Sequence, residues 1–206
     1  MYKRQADDIA TGNLTYSFWF NPTSTWTSAA SNDAYLFSLT GATSENDARV
    51  YLDQVDGTLG FTIFDTCTPT AITANTSQTS WTGGTWYHVV TVFSSTAGMS
   101  VYINGALAGT DSNTARCTTP ASTTAIIGDY YPIGSDNYDG KIDEMRVSNA
   151  VRSADWIETE YRNHNSPSTF HTLGSQETYI YAPLMPEIMR HGKFFDSRGA
   201  EQPFAY

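Results

Sequence analysis

Apolar and polar residues alternate with period two in short runs up to residue 147, the pattern of strands that bury one face. Such runs occupy residues 13–20 (NLTYSFWF), 34–39, 49–52, 58–64, 86–93, 100–103, 125–128 and 141–147. Turn pairs separate several of them: Asp56-Gly57, Gly83-Gly84, Asn104-Gly105 and Asp139-Gly140. This spacing predicts an all-β chain folded as an antiparallel sandwich. Residues 24–32 and 66–85 interrupt the pattern with Thr, Ser, Asn and Gly. They read as long loops, the usual carriers of binding residues.

One short helix is expected after the last strand. Ser153 is a suitable N-cap and Asp155 puts negative charge in the first turn. Ile157 and Tyr161 then fall on one helical face, and Ser166-Pro167 ends the element. The final stretch changes character, with apolar anchors between charges and prolines and no steady period. The reading is a sandwich over residues 1–175 and an extended docking tail over 176–206. Tyr179, Tyr181, Phe194, Phe195 and Phe204 are the tail's candidate assembly anchors.

Charge removes one class of partner. The 206 residues carry 11 basic and 21 acidic groups, a formal net charge of −10, whereas phosphate backbones call for clustered Lys and Arg. Nucleic acid is therefore not an expected partner. No apolar run approaches the ~20 residues of a membrane-spanning helix, and the first residues lack the apolar core of a secretory leader. A removed leader and an exit route inside a phage particle both fit that start. Cys67 and Cys117 each sit in a polar segment with Thr and Pro, without the spacing of a zinc site. A disulfide joining two neighbouring loops is expected, which would stabilise by about 4 kcal/mol in the chain-entropy model. Two unpaired thiols are the alternative.

The order of the motifs is more specific than any one of them. SFWF (17–20), WYHVV (86–90), VYING (101–105), IIG (126–128), GKIDEMRV (140–147) and AVRSADWI (150–157) follow one another at regular intervals. Together they resemble the laminin-G-like, concanavalin A-like sandwich family over about residues 14–172. The resemblance implies a two-sheet jelly roll with one short helix near its end. It also implies a non-catalytic, surface-displayed recognition module and an extracellular or virion-surface location. The family has a further strand before SFWF that few residues here could supply, and residues 179–182 are the candidate replacement. The tail, with its RHGKFF and QPF segments, lies outside the family domain and resembles the C-terminal ends of tailed-phage structural proteins.

The candidate chemistry points to binding. Retaining glycoside hydrolysis needs two carboxyls ~5 Å apart, yet Glu45-Asn-Asp47 is the sole E-x-D pattern and no second acid follows it. No G-x-S-x-G elbow is present, and the four histidines lack ligand spacing. His88 reads as a core histidine. The glycan-binding candidates are the loop aromatics Trp26, Trp81, Tyr130 and Tyr131, since sugar C–H faces stack on such rings. Strict alternation puts Asp143 in phase with Met145 and Val147, facing inward. A carboxylate there needs hydrogen bonds or a cation. Structural calcium, which related sandwiches hold, is one partner, shared with Asp8 and Asp139; loop amides without metal are the other. Three functions follow as candidates: a glycan or surface-binding adhesion module, a decoration protein of a phage-like particle docked through its tail on neighbouring subunits of an oligomer, and, least favoured by these residues, a hydrolase.

Overall fold

A computed structural model describes residues 12–41, 48–65, 68–114, 122–130, 134, 136–168, 194–195 and 198–202. The chain divides into two compact units, residues 1–170 and 171–206. The first contains two five-stranded antiparallel sheets. In one, the order is β10-β1-β6-β7-β8, built from β10 (Gly140–Ser148), β1 (Leu14–Pro22), β6 (Tyr87–Ser94), β7 (Gly98–Ile103) and β8 (Ala106–Asp111). In the other it is β5-β4-β3-β2-β9, from β5 (Thr68–Asn75), β4 (Leu59–Asp65), β3 (Ala48–Leu52), β2 (Ala34–Gly41) and β9 (Ser122–Ile127).

The period-two residues meet between the sheets. Leu14, Tyr16, Phe18 and Phe20 of β1 pack with Val50, Leu52, Phe61 and Ile63 of the opposite sheet in one apolar cluster. β6 is buried at every position, because its two faces are covered by different partners. Val89 and Phe93 join the inter-sheet core, while Val90 and Val92 form a second cluster with Ile157 of helix α1 (Ala154–Asn165). The Ser153 side chain accepts from the Trp156 amide, capping α1 as its sequence predicts. At the β7–β8 turn, Asn104 and Gly105 both have positive φ, 51° and 80°, the backbone that an Asn-Gly hairpin supplies.

Two expectations need correction. Residues 66–85 are not wholly loop: β5 runs through Thr68–Asn75, paired with β4. β8 is a further strand that the alternation does not mark. Its Ala and Gly side chains hide alternation, but Gly109 lets β8 approach β5 so closely that a Cβ there would lie 2.0 Å from the Asn75 carbonyl.

Asp143 is the second correction. Ser17 pairs with Arg146, yet Trp19 pairs with Asp143, so Phe18 faces two residues of β10. This bulge, with Glu144 at φ 54°, breaks the alternation. Ile142 and Met145 consequently pack on the core, whereas Asp143 is exposed opposite Trp19.

In the second unit, β11 (Phe194–Phe195) and β12 (Glu201–Gln202) form a short antiparallel ladder, with Phe194 opposite Gln202 and Phe195 opposite Glu201. Tyr179, Tyr181 and Phe204 lie outside the described residues.

Candidate functional site

A groove of about 380 Å³ opens at one end of the sandwich, lined by Thr25, Trp26, Asn32, Asp33, Asp136 and Asn137 among others. Its first wall is the loop after β1. Trp26 and Trp81 pair through their backbones, each amide donating to the other's carbonyl at 2.8 and 3.0 Å. Their side chains differ in fate. Trp81 is fully buried beside Phe20 and Tyr87, and its Nε1 donates to the Gly57 carbonyl at 2.9 Å. The sequence reading of Trp81 as a ligand-binding ring is thus corrected: the bridge draws its indole into the core. Trp26 packs only partly against that core and lines the groove, its buried Nε1 unpartnered.

The second wall comes from the segment between β9 and β10. The Tyr35 amide donates to the Asp136 carbonyl at 3.2 Å, which ties this segment to β2. Buried Asp129 organises it, accepting from the amides of Tyr130 and Gly134 at 2.7 and 2.8 Å. With its amide nitrogen turned toward Asp129, Asn137 donates to both carboxylate oxygens, at 2.7 and 3.0 Å. A saturated buried carboxylate of this kind fixes a loop without secondary structure.

Behind the groove stands an aromatic stack. Tyr35 lies between Tyr51 and Tyr130, with ring centroids 5.3 and 4.7 Å away. Arg49 sits 4.4 Å over the Tyr130 ring and donates to its hydroxyl at 2.7 Å. Tyr130 therefore reaches the neighbourhood of the groove as part of a rigid stack, not as a free loop ring. Burial pushes the Tyr35 phenol up to about 12 despite the opposing pull of Arg49. Asp33 accepts from the Gln54 amide at 3.0 Å. Burial holds its carboxyl above the usual range; the Gln54 amide and Arg49 oppose this, and the Asp53 and Asp136 carboxylates add to it. A half-buried indole beside carboxylates and an amide can stack on a sugar ring and bind its hydroxyls.

The remaining candidates do not line this groove among the described residues. Tyr131, Asp8, Cys67 and Cys117 lie outside the described residues. Asp139 is exposed and accepts from the Thr23 hydroxyl at 2.9 Å; Asp143 accepts from the Glu144 amide at 2.8 Å. Among the described residues no three His, Cys, Asp or Glu side chains converge as metal ligands.

A buried polar cluster under α1 escaped the sequence reading. The Ser17 hydroxyl donates to Glu160 Oε2 at 3.0 Å and lies 3.4 Å from His88 Nε2, which is itself 3.6 Å from Glu160 Oε2. Arg146 pairs with the other Glu160 oxygen. Burial would raise the Glu160 carboxyl, but interactions with His88, Arg146 and Ser17 outweigh it and hold it below the usual range. Nucleophilic catalysis needs the hydroxyl and the acid on opposite ring nitrogens. Here both face Nε2, and Nδ1 has no partner. The cluster joins helix to sheet. A signal for it existed in the helix, where Glu160 shares a face with Ile157.

No helix among the described residues is long and apolar enough to cross a membrane. Solved structures share the architecture. The binding domain of botulinum neurotoxin serotype D aligns with a TM-score of 0.59 and 13% identity, covering 76% of this chain and 37% of that one. The CBM40 domain of the Ruminococcus gnavus IT-sialidase, bound to α2,3-sialyllactose, aligns at 0.59 and 18%, covering 74% and 84%. Domain 4 of AbnA, an extracellular GH43 arabinanase from Geobacillus stearothermophilus, in complex with arabinotriose, aligns at 0.58 and 18%, covering 73% and 66%. The chain thus spans less than two-fifths of the toxin domain's length, and at these identities the likeness establishes the fold alone. No curated protein matches it in sequence. The family described as "Concanavalin A-like lectin/glucanases superfamily" matches residues 3–158, and the chain belongs to that superfamily.

Proposed function

We propose that this protein is a non-catalytic recognition module that binds a neutral glycan in the Trp26 groove. The observation that carries the reading is the placement of a half-buried indole beside Asp33, Asp136 and Asn137 on a loop frame fixed by Asp129. The acidic lining and the net charge of −10 favour uncharged sugars over acidic ones. The arabinotriose complex of the arabinanase domain supports a neutral sugar, and the sialidase domain's complex supports carbohydrate in general; the geometry of Ser17, His88 and Glu160 supports a module without a nucleophile. Display would be extracellular or on a virion surface, with residues 171–206, a separate unit, as the attachment element.

The test is a glycan array on the full chain, followed by titration of the strongest hit. Trp26→Ala and Asp136→Asn should each weaken binding about tenfold or more, an aromatic contact or a charged hydrogen bond being worth that much. Comparable melting curves would separate lost contact from lost fold. Undiminished binding in both variants would place recognition elsewhere. Deleting residues 183–206 should leave glycan binding intact while removing assembly.

A further inference from the structure

A second groove, of about 440 Å³, lies on the helix-bearing side of the first sheet, lined by Trp19, Trp86, Asp143, Glu144, His164 and Asn165. Its volume falls within the ~300–1,000 Å³ of ordinary ligand pockets. Trp19 is held rigidly: its Nε1 donates to His164 Nδ1 at 3.2 Å, Tyr161 stacks on it at 5.9 Å, and His88 lies 5.0 Å away. Trp86, at the mouth of β6, is 40% exposed. A large indole left open beside a rigid one is costly in water unless something covers it.

The electrostatics choose the occupant. The exposed Trp86 indole presents negative π density, which attracts cations. The β10 bulge sets Asp143 opposite Trp19 and puts Glu144 in a left-handed conformation at the groove. For a residue with a side chain that backbone is strained, and such strain gathers at binding sites. His164 and Asn165 belong to the last turn of α1, whose free carbonyls carry partial negative charge. Arg146 is bonded to Glu144 and Glu160 and does not line the groove. Because Arg146 balances Glu144, it is Asp143, the open indole and the helix end that favour positive charge, while the flat indoles and the Asn165 amide suit a hydroxylated ring.

We propose that this groove binds an ammonium-bearing sugar, the unacetylated amino-sugar residue of a polysaccharide, independently of the Trp26 groove. Isothermal titration of the full chain tests it, using the glucosamine tetramer, its N-acetylated counterpart and cellotetraose. The expected result is saturable binding of the glucosamine tetramer, at least tenfold tighter than either neutral tetramer and weakened by added salt. Measured in a Trp26→Ala background that removes the first groove's contact, Trp86→Ala should weaken it about tenfold and Asp143→Asn several-fold, with melting temperatures kept. Equal affinity for the acetylated tetramer would overturn the proposal, as would no binding, or no change in Trp86→Ala. Lysine binding as tightly as the glucosamine tetramer would also overturn it, since the groove would then read a bare ammonium and not a sugar.

Discussion

Glu160→Gln tests whether the cluster beneath α1 holds the helix down by charge. The substitution keeps the side-chain shape and one acceptor oxygen but removes the carboxylate. In the native fold that carboxylate accepts from Ser17 and pairs with Arg146, and it is almost fully buried. Hydrogen bonds to a buried charge contribute roughly 1.5–3 kcal/mol each. The Arg146 side chain is 44% exposed, so solvent screens its share to about 1 kcal/mol or less. Because glutamine retains a neutral bond to Ser17, the net loss comes to about 2 kcal/mol at pH 7. For a domain of this size each kcal/mol moves the melting temperature by roughly 2–4 °C, which gives a fall of about 4–8 °C.

The pH dependence separates charge from shape. The folded carboxyl is held low, so the unfolded chain binds its proton more readily than the fold does. Its stabilisation is therefore fully present above the ordinary glutamate value, about 4.3, and is lost as pH falls through the lower folded value. Urea melts of both proteins from pH 7 down to pH 3 should show the gap shrinking below about pH 4. A gap that stays constant over that range would refute the reasoning, and so would a difference below about 0.5 kcal/mol at pH 7.

The groove and the core should answer mutation in opposite ways. Asp33 has a raised folded pKa, so its contribution is most favourable at low pH and declines as pH rises through that value. Asp33→Asn should accordingly stabilise the fold by about 0.5–1 kcal/mol at neutral pH, with no gain at pH 3, while weakening glycan binding; a destabilised variant at pH 7 would contradict this. Trp81→Ala removes a fully buried indole and should cost about 3–5 kcal/mol in chemical denaturation. Gly109→Ala places a methyl group against the Asn75 carbonyl and should cost about 1–3 kcal/mol, read by the same melts.

Much of the sandwich was legible because both signals it needs are local. Alternation marked the strands of the core, and Asn104-Gly105 marked its hairpin; Ser153 and Ile157 marked the helix and the face it buries. What escaped notice was set by long-range contacts. β8 is a strand of Ala and Gly whose role is close approach to β5, and small side chains carry no period. Trp26 and Trp81 occupy like-looking polar loops, and only their mutual backbone pairing decides which ring enters the core. Tyr35 and Tyr51 alternate with core residues as any outward-facing strand positions do, so nothing local revealed that they stack with Tyr130.

The bulge at Glu144 connects these points. Were β10 to alternate strictly through Glu144, Asp143 would share the inner face with Met145, and a carboxylate would enter an apolar core at a cost of several kcal/mol. With the bulge, Asp143 turns out beside Trp19, while Arg146 still reaches Glu160 beneath the helix. One inserted residue thus keeps the core apolar, supplies a cation for the buried cluster and leaves acidic groups beside an indole on the surface. Deleting Glu144 should leave Met145 opposite Phe18 and Asp143 opposite Trp19 in plain alternation, with the core row of Ile142 and Met145 kept. The expected result is a stability within about 1 kcal/mol of the parent in urea melts, since the exposed Glu144–Arg146 pair is what is lost. A loss of several kcal/mol would show that the left-handed turn at Glu144 itself holds this edge strand in place.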